Sequence, residues 1–441
     1  MAAPISSTKK HQDPTLPPAT CHEEYTEQPA HYHLPVLLFP SFFMQVYARG
    51  HREVLKDIVK AWPFPSLPMG DREKSPDLET FKAILDGLYL LLAKKVWSSR
   101  CKLQVLDLRN EHPEIWMWGY PSIAQISYPA FLTDNLTVNC MTEEQTLIIA
   151  MALTIKNGTQ NDLQAFLLQS VRERKGLVQL CSRKLQILSG SFSMIHSILF
   201  VVCLNSIQEL VLNSFWHRVT MKNFAPYLHM MKNLHTVNFS KMSFNFYTST
   251  SRNCPYPFQL GAHLGQLQHL QELHVHDVFF LYKQLRAICG SLRPLKALSL
   301  SSCPLKQADM RILSQCLCTR QFNHLWLRSL CMDRVSHELL SALLEHVAGT
   351  LCALALEDCD ITDSQLSNIM PALSQCSQHR FFSFPGNFIS MASLQNLLSH
   401  MVSLSHLRQG LYPGPLESYR HTGNIQPERF ARVRAGLAQR L

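Results

Sequence analysis

The sequence predicts an α/β solenoid, a curved horseshoe with parallel strands on its concave face, helices on its convex face and a helical cap at its N-terminal end. Three observations carry this. From the middle of the chain onward an apolar pattern L-x-x-L-x-L returns at intervals of roughly 25 to 36 residues, the period of stacked supersecondary units. Copies are often followed, at the ninth and eleventh positions, by Cys or Asn and an aliphatic residue, as in Cys303 and Leu305, Cys359 and Ile361, and Asn387 and Ile389. Between copies lie segments with apolar residues three and four apart, the helical spacing. Together these form the leucine-rich repeat signature.

Taken in order, residues 1–33 hold five prolines, four histidines and a single leucine, and read as a disordered leader. The next segment, HLPVLLFPSFF (33–43), is abruptly apolar. It is too short to span a membrane, which takes roughly 20 apolar residues, and its prolines would break a helix of that length. It is expected to pack on the first repeat as part of a cap covering residues 34–100, because a solenoid must close the open end of its core. Within that cap, residues 75–96 read as a helix: Ser75 or Asp77 can cap its start, and Leu78, Phe81, Leu85, Leu88 and Leu92 form one apolar stripe. KLQVLDLRN (102–110) then has strand alternation, with Leu103, Leu106 and Leu108 inward.

Residues 101–206 are expected to form irregular first repeats, and 207–419 the regular ones. The clearest copies are LKALSLSSCPL (295–305), FNHLWLRSLCM (322–332) and LCALALEDCDI (351–361); fainter ones begin at Ile207, Leu234, Leu270 and His379. In each, the fourth and sixth residues point to one face of a strand and the residue between them to the other. An Asn at the ninth position can hydrogen-bond stacked backbone from inside the solenoid. DSQLSNIMPALSQC (363–376) and SLQNLLSHM (393–401) are helical returns. Residues 420–441, with Arg429, Arg432, Arg434 and Arg440, form a basic amphipathic helix.

Composition excludes several function classes. At 46% hydrophobic and 17% charged the 441 residues are globular, and the fourteen cysteines, none in a C-x-x-C pair, read as free thiols of a reducing compartment. A net charge of +9 without basic runs interleaved with aromatics does not suggest nucleic-acid binding. No G-x-S-x-G, P-loop, H-E-x-x-H or kinase set is present, so no enzyme and no cofactor is expected. EDCDITD (357–363) lacks the Gly and Glu of a calcium loop; its aspartates suit a turn and a helix N-cap. His274 and His276 have strand spacing for two ligands, but no third is visible, so no metal site is expected. Three LxxLL strings, starting at Leu88, Leu340 and Leu394, read as core leucines.

Function should therefore reside on the concave strands, in residues at the third, fifth and seventh positions of the pattern. These are Glu209, Asn213, Glu272, His274, His276, His324, Trp326, Arg328, Glu357, His406 and Arg408. Polar and aromatic side chains on a preformed curved surface suit protein recognition, with Trp and Arg the expected anchors.

HREVLKDIVKAWPFPSLPMG (51–70), residues 78–96, KLQVLDLRN, CSQHRFFSFPGNFIS (376–390) and LYPGPLESY (411–419) resemble the PRAME family and its rodent oogenesin-like relatives. The resemblance implies a substrate receptor of a cullin-2 ubiquitin ligase, with Leu34, Pro35, Leu38, Phe39 and Pro40 standing where relatives carry a cullin-facing LPxxLFPxLF segment. A preceding helix of the L-x-x-x-[CA]-x-x-x-aliphatic kind, which holds elongin C, is not recognisable in residues 1–33, so elongin B/C binding stays open. The alternative is a protein-binding co-repressor that recruits no ligase. The expected location is cytoplasmic, nuclear or both, with no membrane association.

Overall fold

In the computed structural model, residues 34–69, 78–93, 101–109, 146–158, 161–216, 218–242, 262–278, 285–332, 335–402, 404–419 and 424–438 are described. The expected leader and the Ser75 or Asp77 cap lie outside these residues.

Two parallel sheets organise the chain. The larger has ten strands in sequence order, from Leu153–Ile155 and Lys184–Ile187 through Glu209–Asn213, Thr236–Met242, Glu272–Val278, Ala297–Ser301, His324–Arg328, Ala353–Glu357 and Phe381–Ser383 to Gln409–Leu411. The smaller has five: Ser66–Pro68, Val105–Asp107, Leu147–Ala150, Val178–Cys181 and Val202–Cys203. Three repeats feed both sheets. Leu147–Ala150 leads within two residues into Leu153–Ile155, Val178–Cys181 into Lys184–Ile187, and Val202–Cys203 through a 3-10 turn into Glu209–Asn213. The large sheet thus begins well before Ile207, inside the segment expected to be irregular.

The sheet is a repeat solenoid because its leucines alternate. Leu298 and Leu300, Leu325 and Leu327, and Leu354 and Leu356 are all buried, while Ser299, Trp326 and Ala355 between them stand in one row across the open face. At the C-terminal end of five consecutive strands the chain passes through a left-handed residue at the same, eighth pattern position: Lys241, Asp277, Ser302, Ser329 and Asp358 all have φ between 49° and 53°. At the ninth position, Cys303 and Cys359 direct their thiols to strand carbonyls, with Cys359 Sγ 3.3 Å from Leu327 O in the preceding repeat. Asn387 does this more completely. Its amide donates to Leu356 O (2.6 Å) and Phe384 O (2.8 Å) and accepts from the backbone N–H groups of Cys359 (3.2 Å) and Ile361 (3.1 Å), joining two repeats. The helical returns follow as expected, Asp363–Gln375 and Met391–Val402 among them. Thr362, rather than an aspartate, caps the first, in a reciprocal pair with Gln365. The leucines at the first, fourth and fifth positions of all three LxxLL strings are buried, while Leu90, inside the first string, is exposed.

Among the described residues the cap contains three helices. Residues 36–38 form a 3-10 turn leading directly into the helix Phe39–Ala48; Pro40 lies in the first turn of that helix, where a missing N–H costs nothing, so it starts the helix instead of breaking one. Arg52–Lys60 then packs against Leu78–Ala93, and Gly87 permits the close approach: a Cβ there would meet Lys56 O at 2.7 Å. Trp62 is the centre. Its ring stands edge-on to Phe39, Phe43 and Phe64, and its Nε1 donates to Ser66 O at 2.8 Å, on the first strand of the small sheet. Pro427–Ala438 forms the expected C-terminal helix, with Arg429 and Arg432 exposed; Arg440 lies outside the described residues.

One core position is unusual. His379 occupies the first, leucine position of its repeat, is fully buried, and has no hydrogen-bond partner for either ring nitrogen among the described residues. Burial depresses its pKa to about 4 from the ordinary 6.5. The folded state therefore binds this proton less readily than the unfolded chain. The stability this neutral imidazole permits is fully present above the ordinary value and is lost as the pH falls from there toward the folded one, by on the order of 3 kcal/mol. His379→Leu is expected to remove that segment of the pH dependence, as measured by thermal unfolding between pH 7 and 4; an unchanged slope would refute it.

Candidate functional site

The open face of the large sheet is a set of three rows fixed by strand register. The first contains Glu209, Thr236, Glu272, Ala297, His324, Ala353 and Phe381; the second Asn238, His274, Ser299, Trp326, Ala355 and Ser383; the third Asn213, Ser240, His276, Ser301, Arg328 and Glu357. Nine of the eleven residues expected on this face are on it.

His406 and Arg408 are not. Gln409 pairs with Phe381 and Gly410 with Phe382, so the last strand begins three residues later than the Leu404-Leu407 spacing implied. Leu407 takes the first position of the pattern and Gly410 the fourth, where a Cβ would meet the Tyr412 ring at 2.5 to 2.7 Å. His406 lies in a turn, and Arg408 precedes the strand, bonding through its N–H to Arg380 O at 2.9 Å.

The centre of the face is aromatic. Trp326 stacks on His324 of its own strand (ring centroids 5.3 Å, planes 2° apart) and on His274 two strands away (5.8 Å, 25°). Ser299, on the strand between, is small enough to leave that path open. His274 Nε2 is 3.4 Å from Glu272 Oε2, and Thr236 Oγ1 donates to the same carboxylate oxygen at 3.3 Å. Beside the indole is an ionic group: Arg328 Nε lies 2.9 Å from Glu357 Oε2, while Ser383 Oγ donates to Glu357 Oε1 at 2.6 Å. Lys184 and Glu209 form a further pair at 2.7 Å toward the start of the sheet. These pairs are partly exposed, so they orient side chains more than they stabilise the fold. The result is a half-buried indole flanked by an acidic and a mixed-charge patch, with its ring held between His324 and His274.

Thr236, Asn238, Ser240, Phe381 and Ser383, not among the expected residues, also stand in these rows, each at the pattern position of an expected one. The faint copies of the pattern at Leu234 and His379 carry the signal for them.

At the N-terminal end, the five cullin-facing candidates divide. Phe39 and Pro40 are buried in the cap and Leu34 is half-buried against it, whereas Pro35 and Leu38 are exposed. Val36, Leu37 and Leu38 stand 42%, 60% and 51% exposed, a contiguous apolar run on a cap whose other large side chains are mostly inside.

Residues 147–441 match the PRAME C-terminal domain and residues 21–116 the PRAME N-terminal domain. The chain belongs to the PRAME family. It is 41% identical over 416 residues to human PRAME family member 12, covering 92% of this chain and 85% of that protein, and 39% identical over 419 residues to human PRAME family member 8, with 92% and 86% covered. Among solved structures, similar folds include the crystal structure of a yeast complex of Rad7 and Elc1 (12% identity, TM-score 0.45, 89% of this chain and 87% of that one). An internalin from Listeria monocytogenes is another (10% identity, TM-score 0.36, 83% and 96%). The fold is a leucine-rich repeat solenoid, and its open face is suited to binding protein. Among the described residues, no helix is long and apolar enough to cross a membrane.

Proposed function

We propose that this PRAME-family protein is a non-catalytic substrate receptor of a cullin-2 ubiquitin ligase, holding a protein target on the concave rows around Trp326 and the ligase at its N-terminal cap. The observation that carries the reading is the exposed run Pro35-Val36-Leu37-Leu38. Burying three aliphatic side chains is worth several kcal/mol at roughly 1.5 to 3 kcal/mol each, and a monomer gains nothing from leaving them in water. Phe39 and Phe43 anchor the same segment from beneath, so it is presented on a rigid support. The family resemblance supplies the class of partner, a cullin, reached with or without elongin B/C.

The test uses purified full-length protein with recombinant elongin B/C and cullin-2. Wild type is expected to retain the cullin; Leu37→Ser/Leu38→Ser is expected to release it with thermal stability unchanged, since neither side chain belongs to the core. Trp326→Ala is expected to do the reverse, keeping the ligase while proteins co-purified on the concave face fall about 30-fold, the equivalent of roughly 2 kcal/mol for a buried aromatic anchor. Failure of wild type to retain cullin-2 would sink the ligase reading and leave protein binding alone.

A further inference from the structure

The sulfur atoms of Cys289, Cys316 and Cys318 all lie within 4.8 Å of one another. Cys289 is in the helix Leu285–Ser291; Cys316 and Cys318 sit one repeat later, where the helix Gln307–Gln315 ends and the 3-10 turn Leu317–Thr319 begins. Stacking alone brings them together. Cys316 Sγ is 3.2 Å from Cys289 O, and Leu295 N–H donates to Cys318 O at 2.9 Å, so the C-x-C turn is tied to the preceding repeat on both sides.

The three sites differ in surroundings. Cys289 and Cys318 are buried and line a small apolar cavity with Leu285, Ile288 and Leu292, while Cys316 is half-buried and opens the group toward solvent. One thiol thus faces outward and two face the core, so an ion could enter from the Cys316 side.

We propose that Cys289, Cys316 and Cys318 form a binding site for a thiophilic d10 metal ion, Zn2+, held by three thiolates with solvent at the fourth position. Three sulfurs in tetrahedral contact with zinc at about 2.3 Å stand roughly 3.8 Å apart, a small contraction of the observed group. Zinc suits the site better than a monovalent soft ion, because three thiolates with Zn2+ leave one net negative charge and with Cu+ would leave two, in surroundings that penalise charge. A disulfide between two of the sulfurs would leave the third without a role. Binding transfers the thiol protons to solvent, so retention should strengthen as pH rises. The ion would clamp the segments leading into Ala297–Ser301 and His324–Arg328, and so set the spacing of the strands that carry Ser299 and Trp326.

The experiment measures zinc retained by the full-length chain, purified under reducing conditions, loaded with Zn2+ and dialysed free of it, together with the sulfur-to-metal charge-transfer absorption after Co2+ loading. Wild type and the exposed-cysteine control Cys331→Ser are expected to hold about one zinc per chain and to show a three-thiolate cobalt band. Cys318→Ser and Cys316→Ser are expected to hold none, and the half-buried position of Cys316 keeps that variant folded, as circular dichroism would check. Zinc held equally by both variants, no zinc in wild type, or a disulfide mapped within the group in wild type would each overturn the proposal.

Discussion

Replacing Asn387 by alanine is expected to cost about 3 to 5 kcal/mol of local stability, far more than a side chain of its size would suggest. The cost is not packing. Removing the amide leaves two buried N–H donors, of Cys359 and Ile361, and two carbonyls, of Leu356 and Phe384, each having lost a partner. An unsatisfied buried polar group costs about 1 to 3 kcal/mol, and the loop can rearrange to recover only part of it. In a solenoid each repeat is supported by its neighbours, so the damage should be regional. Hydrogen exchange should show lost protection over residues 353–388, with the strands up to Ser301 little changed. Binding would suffer with it, since Glu357, which accepts from Ser383 and pairs with Arg328, lies on the strand that Asn387 secures. Protection unchanged at Cys359 and Ile361 would show that the amide is not the clamp.

The repeats were legible wherever leucines filled both inward positions. Ala297–Ser301, His324–Arg328 and Ala353–Glu357 could be read directly, and with them the row from His274 to Trp326. Reading failed where another residue held a leucine position. Gly410 and Tyr412 replace the expected pair in the last strand, and Leu404 and Leu407 offered a false frame three residues earlier. Pro40 argues against a long helix through 33–43 but not against a shorter one that begins there, because proline forbids a helix interior and favours its first turn. Two features had no local signal. The double use of Leu147–Ile155 by both sheets depends on a bend, and the Cys289 group joins residues 27 positions apart through the stacking of one repeat on the next. The C-x-C at 316–318 was visible, but its third member belonged to another turn of the solenoid.

Trp62→Ala is expected to destabilise the cap by about 3 to 5 kcal/mol, the usual range for emptying a large buried aromatic site. Trp62 is fully buried, its ring meets Phe39, Phe43 and Phe64 edge-on, and its indole N–H reaches Ser66 O, so the side chain joins the first helix to the smaller sheet. The indole N–H bond to Ser66 O adds a separable part: Trp62→Phe keeps most of the ring and should cost less, about 1 to 3 kcal/mol for the carbonyl left behind. Hydrogen exchange should locate the loss in residues 39–107, with the large sheet retained. The variant also distinguishes two ways of losing a ligase. Leu37→Ser/Leu38→Ser would remove contact residues from an intact platform, whereas Trp62→Ala would loosen the platform beneath intact contact residues. Cullin retention should therefore fall in both, with reduced protection of the cap in the second alone. If Trp62→Ala left cap protection at its wild-type level, the aromatic cluster would not be what holds Pro35–Leu38 in place, and the rigid presentation on which the docking proposal depends would have to come from elsewhere in the chain.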